Sequence, residues 1–218
     1  NVEINTAGWV GQPPRGGPRR PAGASLAHRR TAPGKRMKVT SGTAVHEGLR
    51  VSDADQFVGL LGSGTVFRNC VFDGADLSGL SADEVAFEDC SLRRTDLSDL
   101  ACPSLRIAGS NAEGARFAES EVHSAQLTGS AFASADFRGA KLSLSRMVDC
   151  DFSLCNFDNA NLFGVDLSGS RLRAVDLTDT NLDAVRLDRV DLGMARLNGR
   201  DFKKQKLVGV NFTEADLS

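Results

Sequence analysis

The 218-residue chain has no tyrosine, one tryptophan and three histidines, so the side chains that most often carry acid–base catalysis and aromatic recognition are scarce. No apolar run approaches the roughly 18–20 residues that a membrane-spanning helix needs, and the start lacks the apolar core of a secretory signal. Five cysteines make an odd set with no CxxC pair. That argues against a secreted disulfide framework and for a reducing compartment, so the expected location is cytoplasmic. The formal charge of −2 marks the whole chain as neither polycation nor polyanion.

What is present divides unevenly. Residues 1–36 hold five of the six prolines and seven Lys/Arg against the single acid Glu3. Such a stretch buries too little apolar surface to fold alone. It reads as a disordered Pro/Gly/Arg-rich tail, or as non-native sequence upstream of Met37. The sharper readings are a basic nucleic-acid arm or an Arg-rich transit peptide. Residues 37–56 read as a lead-in or N-terminal cap.

From Phe67 to Leu217 every position ending in 2 or 7 is apolar, 31 in all, and 11 of the 12 phenylalanines lie in this frame once Phe57 is counted. Five is the period of neither common element: on a helix such residues spiral around every face, and on a flat strand they alternate sides. The unit around each centre is regular. Two residues before it stands a small or β-branched residue, as in Ala75, Ala115, Val165 and Val190, and one before it commonly Asp or Asn. Two after it, 18 of 32 positions are Gly, Asn or Asp, the residues that a left-handed turn position favours. If each pentapeptide is one side of a coil with a turn at its end, four close a square of 20 residues. The centres then form four interior ladders, and successive coils stack about 4.8 Å apart.

The column Gly62, Ala82, Cys102, Val122, Leu142, Leu162 tests the square. Its first three centres are small, and the residues two before them are Leu60, Leu80 and Leu100; later these become Ser120, Ala140 and Ala160. Large and small exchange places while the pair volume stays roughly constant, as close packing requires if both face one interior. The cysteines fit the same frame. Cys70, Cys90, Cys150 and Cys155 take the small inward position and Cys102 a centre, which makes them packing residues.

The segments ADLSG (75–79), ANLFG (160–164), VDLSG (165–169) and VNFTE (210–214) resemble the A(D/N)LXX pattern of the pentapeptide-repeat family. The resemblance covers about 160 of the 218 residues. It implies an all-β fold, a right-handed quadrilateral parallel β-helix, here over residues 57–218 with about eight 20-residue coils. The chain stops at ADLS, one residue after a centre. That suggests either a fragment or an exposed last coil open to end-to-end self-association.

No catalytic constellation, metal-ligand spacing or phosphate loop stands out, and no cofactor is expected; His123 projects from the rod without a triad. The expected function is therefore non-catalytic, a protein–protein interaction or scaffolding module with no membrane contact and no direct nucleic-acid binding by the repeats. Two surfaces are candidates. One side carries Asp76, Asp96, Asp99, Glu119, Asp136, Asp158, Asp176, Asp179 and Asp216 against three arginines, a net of −6. Family members that mimic DNA bind type II topoisomerases, so the resemblance makes DNA gyrase an alternative partner of this acidic face. The other candidate is an apolar patch of Leu144, Phe163 and Leu154, Phe163 being the only phenylalanine outside the frame.

Overall fold

The computed structural model describes residues 44–61 and 64–218. The expected tail (1–36), the first part of the lead-in (37–43) and Gly62 lie outside the described residues. The described chain is a parallel β-solenoid. Its regular strands are β1 (Val45–Glu47), β2 (Thr65–Arg68), β3 (Glu84–Glu88), β4 (Ser104–Ala108), β5 (Gln126–Thr128) and β6 (Arg146–Val148), paired in sequence order and in parallel. The step from β2 to β3 is 20 residues, with Phe67 opposite Phe87, and β3 to β4, β4 to β5 and β5 to β6 keep it.

Regular strand pairing covers five steps, fewer than the eight coils expected. On the other three sides, and on this one from Asp166 on, coils meet through single bridged residues, as in the column Val71, Ser91, Asn111, Ala131, Asp151, Arg171, Asp191, Asn211; from Val71 on, two bridges are missing among the described residues, Asn181 to Asp201 and Arg186 to Lys206. The corners explain this. Positive φ falls at positions ending in 4 or 9, apart from Gly48, so nearly every five residues the chain turns instead of extending. Glu84 and Ser104, which start β3 and β4, are exceptions to the turn and lengthen those strands.

The first coil departs from the frame. Val45 pairs with Val66, a step of 21, and Asp53 bridges Asp76, a step of 23. The extra residues form α1 (Ala54–Leu60), capped by Asp53, whose carboxylate accepts the Gln56 N–H at 2.9 Å. Phe57 and Leu60 therefore belong to a helix, which corrects the reading of residue 57 as the first repeat centre. The helix lays Phe57 against Phe67 with ring centroids 5.3 Å apart and closes that end of the core.

Inside, the centres from Phe67 to Leu197 are buried, Ala82 alone being only partly so. Equivalent phenylalanines stack from coil to coil: Phe117 on Phe137 at 4.9 Å, Phe137 on Phe157 at 5.2 Å, and Phe132 on Phe152 at 5.0 Å. These spacings match the rise of one coil. Leu100 with Cys102, Ser120 with Val122 and Ala140 with Leu142 all face the core, as the exchange of volumes required.

The D/N position also has a structural task. Its side-chain oxygen accepts the backbone N–H two residues on, as Asp76 does from Ser78, Asp96 from Ser98, Asn161 from Phe163 and Asn181 from Asp183. Aspartate and asparagine both offer that oxygen, hence the alternation between them in the repeat.

Candidate interaction surfaces

The acidic side is less anionic than its composition suggests. Its bridged column runs Asp76, Asp96, Arg116, Asp136, Asn156, Asp176, Arg196, Asp216. Arg116 lies 3.5 Å from Asp96, Arg196 2.6 Å from Asp176 and Arg138 2.7 Å from Asp136, so three of the nine candidate acids are ion-paired. Asp76 and Asp176 are held below the usual carboxylate range by hydroxyl and backbone hydrogen bonds from Ser78 and Thr178. Partial burial works against ionisation of Asp136, but the Arg138 hydrogen bonds and charge outweigh it. Asp216 is lowered by hydrogen bonds from Asn198 and Ser218. These carboxylates stay charged, but they are tied to turns and arginines. Asp99, Glu119, Asp158 and Asp179 occupy the same side, at its corner.

The apolar patch divides. Leu144 is 64% exposed and Phe163 45%, and they share one corner: the Leu144 N–H donates to the Phe163 carbonyl at 2.9 Å. Leu154, 63% exposed, follows Leu144 by ten residues. Ten residues are half a coil, so Leu154 projects from the opposite corner, which corrects its placement in the same patch. There it heads a stripe with exposed Ala174 and with Met194, which the sequence reading missed; Met194 occupies the same turn position two coils on. Leu144, Leu154 and Met194 all have φ near +60°. The coil's turn imposes that φ, as it does on Arg94, Glu119 and Ala174, but a leucine or methionine is a costly choice for it and is exposed as well.

Gly164 lies beneath Leu144: a Cβ on it would stand 2.9 Å from Leu144 Cδ2. His123, in the column that contains Ser143 and Phe163, meets Ser143 Oγ at 2.8 Å, a contact that spacing alone did not reveal. No carboxylate hydrogen-bonds this imidazole among the described residues. The pair is exposed, and a nucleophile–base arrangement would need an orienting third group.

The five cysteines are free and buried. Burial raises the thiols of Cys90 and Cys102 to about 11 and of Cys150 to about 12, and raises Cys155 as well. Those four are packed, protonated thiols. Among the described residues no group of three or more His, Cys, Asp or Glu is placed to hold a metal ion, and no helix is long and apolar enough to cross a membrane.

A solenoid of five-residue sides with hydrogen-bonded D/N corners defines a repeat protein whose outward side chains are free to vary. The chain belongs to the pentapeptide-repeat family: residues 120–197 match the pentapeptide repeat region, and residues 63–99 match the pentapeptide repeats (8 copies). Among solved structures it is similar to trypsin-treated QnrB1, a plasmid-mediated fluoroquinolone resistance protein, at 16% identity and a TM-score of 0.42, covering 81% of this chain and 90% of that one. It is also similar to HetL, a pentapeptide repeat protein involved in heterocyst differentiation regulation from the cyanobacterium Nostoc, at 18% identity and a TM-score of 0.26, covering 79% and 84%. Rfr23 from the cyanobacterium Cyanothece shares 15% identity at a TM-score of 0.28, over 66% and 91%. No curated protein sequence matches the chain.

Proposed function

We propose that this chain is a non-catalytic interaction or scaffolding module of the cytoplasm, whose partner is read by the corner bearing Leu144 and Phe163. The observation that carries this is Leu144, 64% exposed at a φ of +60°. Stability alone favours glycine or asparagine there, and strain retained at an exposed apolar side chain points to contact with something else. The experiment compares capture from cytosol by the biotinylated chain and by a Leu144→Gly/Phe163→Ser variant. The reading requires a protein held by the parent and lost by a variant with the same circular-dichroism spectrum. Identical captured sets would remove it.

The alternative, a DNA-mimicking binder of type II topoisomerase, rests on the acidic side. A rod of eight coils, roughly 37 Å long at the strand spacing, would need roughly 22 negative charges to match duplex DNA. The side offers a net of −6, interrupted by Arg116 and Arg196. Supercoiling by DNA gyrase with and without the chain tests it. Inhibition by the parent that disappears when Asp96, Asp99, Asp136, Asp176 and Asp179 become Asn would favour the mimic over the scaffold.

A further inference from the structure

Between Val71 and Asp216 each side is bridged from coil to coil except at two places, Asn181 to Asp201 and Arg186 to Lys206. The chain is in register at Arg196, leaves it, and returns where the Arg189 N–H meets the Val208 carbonyl at 2.8 Å. The cause is legible in two side chains. Arg200 and Gln205 hold inward positions that the preceding coils give to Thr180, Ala160 and Ala140, and to Val185, Val165 and Ser145. The core closes around the small residues but not around an arginine and a glutamine. The last coil stands off and leaves a cleft of about 850 Å³ lined by Asp183, Arg186, Asp201, Lys204, Gln205 and Lys206 among others.

The wall of the cleft is an open ladder edge. One coil earlier, the Gly164 and Leu167 N–H groups donate to Asp183 and Arg186, and the Val165 carbonyl accepts from Arg186. The corresponding Ala184 N–H, Leu187 N–H and Val185 carbonyl have no backbone partner among the described residues. Gln205 Nε2 donates to the Leu182 carbonyl at 2.8 Å, as a peptide group would. Its Oε1 and the Arg200 Nε are buried without a hydrogen bond.

The lining balances Asp183, Asp188 and Asp201 against Arg186, Lys204 and Lys206, whereas the solenoid from residue 57 on is net acidic. Three of the four lysines after residue 56 are Lys203, Lys204 and Lys206. Lys203 pairs with Asp201 at 3.6 Å and Arg186 with Asp188 at 3.5 Å, while Lys204 and Lys206 have no ion pair among the described residues. The cleft also continues the proposed contact corner, whose turn column runs Leu144, Gly164, Ala184, Lys204.

We infer that the cleft takes an extended acidic segment of a partner protein, which pairs with the open edge at Ala184–Leu187 as an added strand. Its carboxylates meet Lys204 and Lys206, and the partner continues along the same corner toward Phe163 and Leu144. This rests on the interaction-module reading and gives that partner its chemistry.

Fluorescence anisotropy of a labelled peptide alternating Glu and Val, titrated with the full chain, tests it. The comparison peptide has the same sequence with its alternate amides N-methylated. Two variants complete the set: Arg200→Thr/Gln205→Val, which copies Thr180 and Val185 and should close the cleft, and the surface reversal Lys204→Glu/Lys206→Glu, which leaves the core untouched. The inference expects salt-sensitive binding that weakens about tenfold or more on N-methylation and in each variant. Absence of binding would overturn it. So would equal binding of the N-methylated peptide, which would reduce the site to charge attraction. Undiminished binding by a folded Arg200→Thr/Gln205→Val chain would also overturn it, since the cleft would then not be the site. If these fail while capture through Leu144 and Phe163 persists, the interaction module stands and only the strand addition falls.

Discussion

Ser130→Ala should cost the solenoid about 1–3 kcal/mol, a large effect for removing one oxygen. Ser130 belongs to an interior column, Cys70, Cys90, Ser110, Ser130, Cys150, Ser170, in which side chains satisfy backbone groups of neighbouring coils. The Ser110 N–H donates to Ser130 Oγ at 3.0 Å, and that hydroxyl donates in turn to the Thr128 carbonyl at 3.0 Å. The same relay joins the Cys90 N–H to Ser110 Oγ and the Cys150 N–H to Ser170 Oγ, both at 3.0 Å. Deleting the hydroxyl strands a buried N–H and loses one donated bond. Ser130→Cys should be nearly neutral, because Cys150 already accepts the Ser130 N–H through its sulfur at 3.5 Å. Urea unfolding followed by circular dichroism measures both, with the slope checked for a single transition. A neutral Ser130→Ala would refute the reasoning. It would mean that the corner before Ser110 relaxes into the turn used at Ser170, whose own N–H donates back to the Leu167 carbonyl at 3.0 Å.

Three further outcomes are expected. Phe137→Ala removes a ring that contacts Phe117, Phe132, Phe152 and Phe157, and should destabilise by about 3–5 kcal/mol in the same urea assay. Acid should weaken the fold through the corner carboxylates. Asp76, Asp166, Asp176 and Asp191 have folded-state values below the unfolded one, so their contribution is complete above the ordinary aspartate value near 3.9 and is lost as pH falls through the lowered values. A pH series of urea midpoints should therefore drop below about pH 4, and by less when these four are Asn, which keeps the accepting oxygen. Finally, Cys90, Cys102 and Cys150 should resist a thiol reagent at neutral pH in the folded chain and react in urea, since burial holds them protonated at about 11, 11 and 12.

The coil was legible because its rule is repeated at every side. An apolar residue in fives, a small residue two before it and a turn former two after it leave one arrangement that packs them all. What escaped the sequence reading depended on position around the coil or on a break in the rule. Leu154 and Leu144 are neighbours in sequence, but the five-residue frame puts half a turn between them. Phe57 keeps the frame by phase alone; Asp53 as a cap and the longer steps of the first coil divert it into α1. The carboxylates of the acidic side were countable, but their engagement with Ser78, Thr178 and the bridged arginines needed the stacking register.

Arg200 and Gln205 show where such a reading should look first. Each holds a position that is small in the coils just before it, and two such exceptions on consecutive sides are enough to lift one coil off its neighbour. Outward substitutions leave the ladder intact and change only what a partner touches, whereas an oversized inward residue changes the backbone itself. It exposes donors and acceptors that the fold otherwise consumes. In a solenoid whose every side is built to be satisfied by the next, the residues too large for the interior are therefore the ones that create a place to bind.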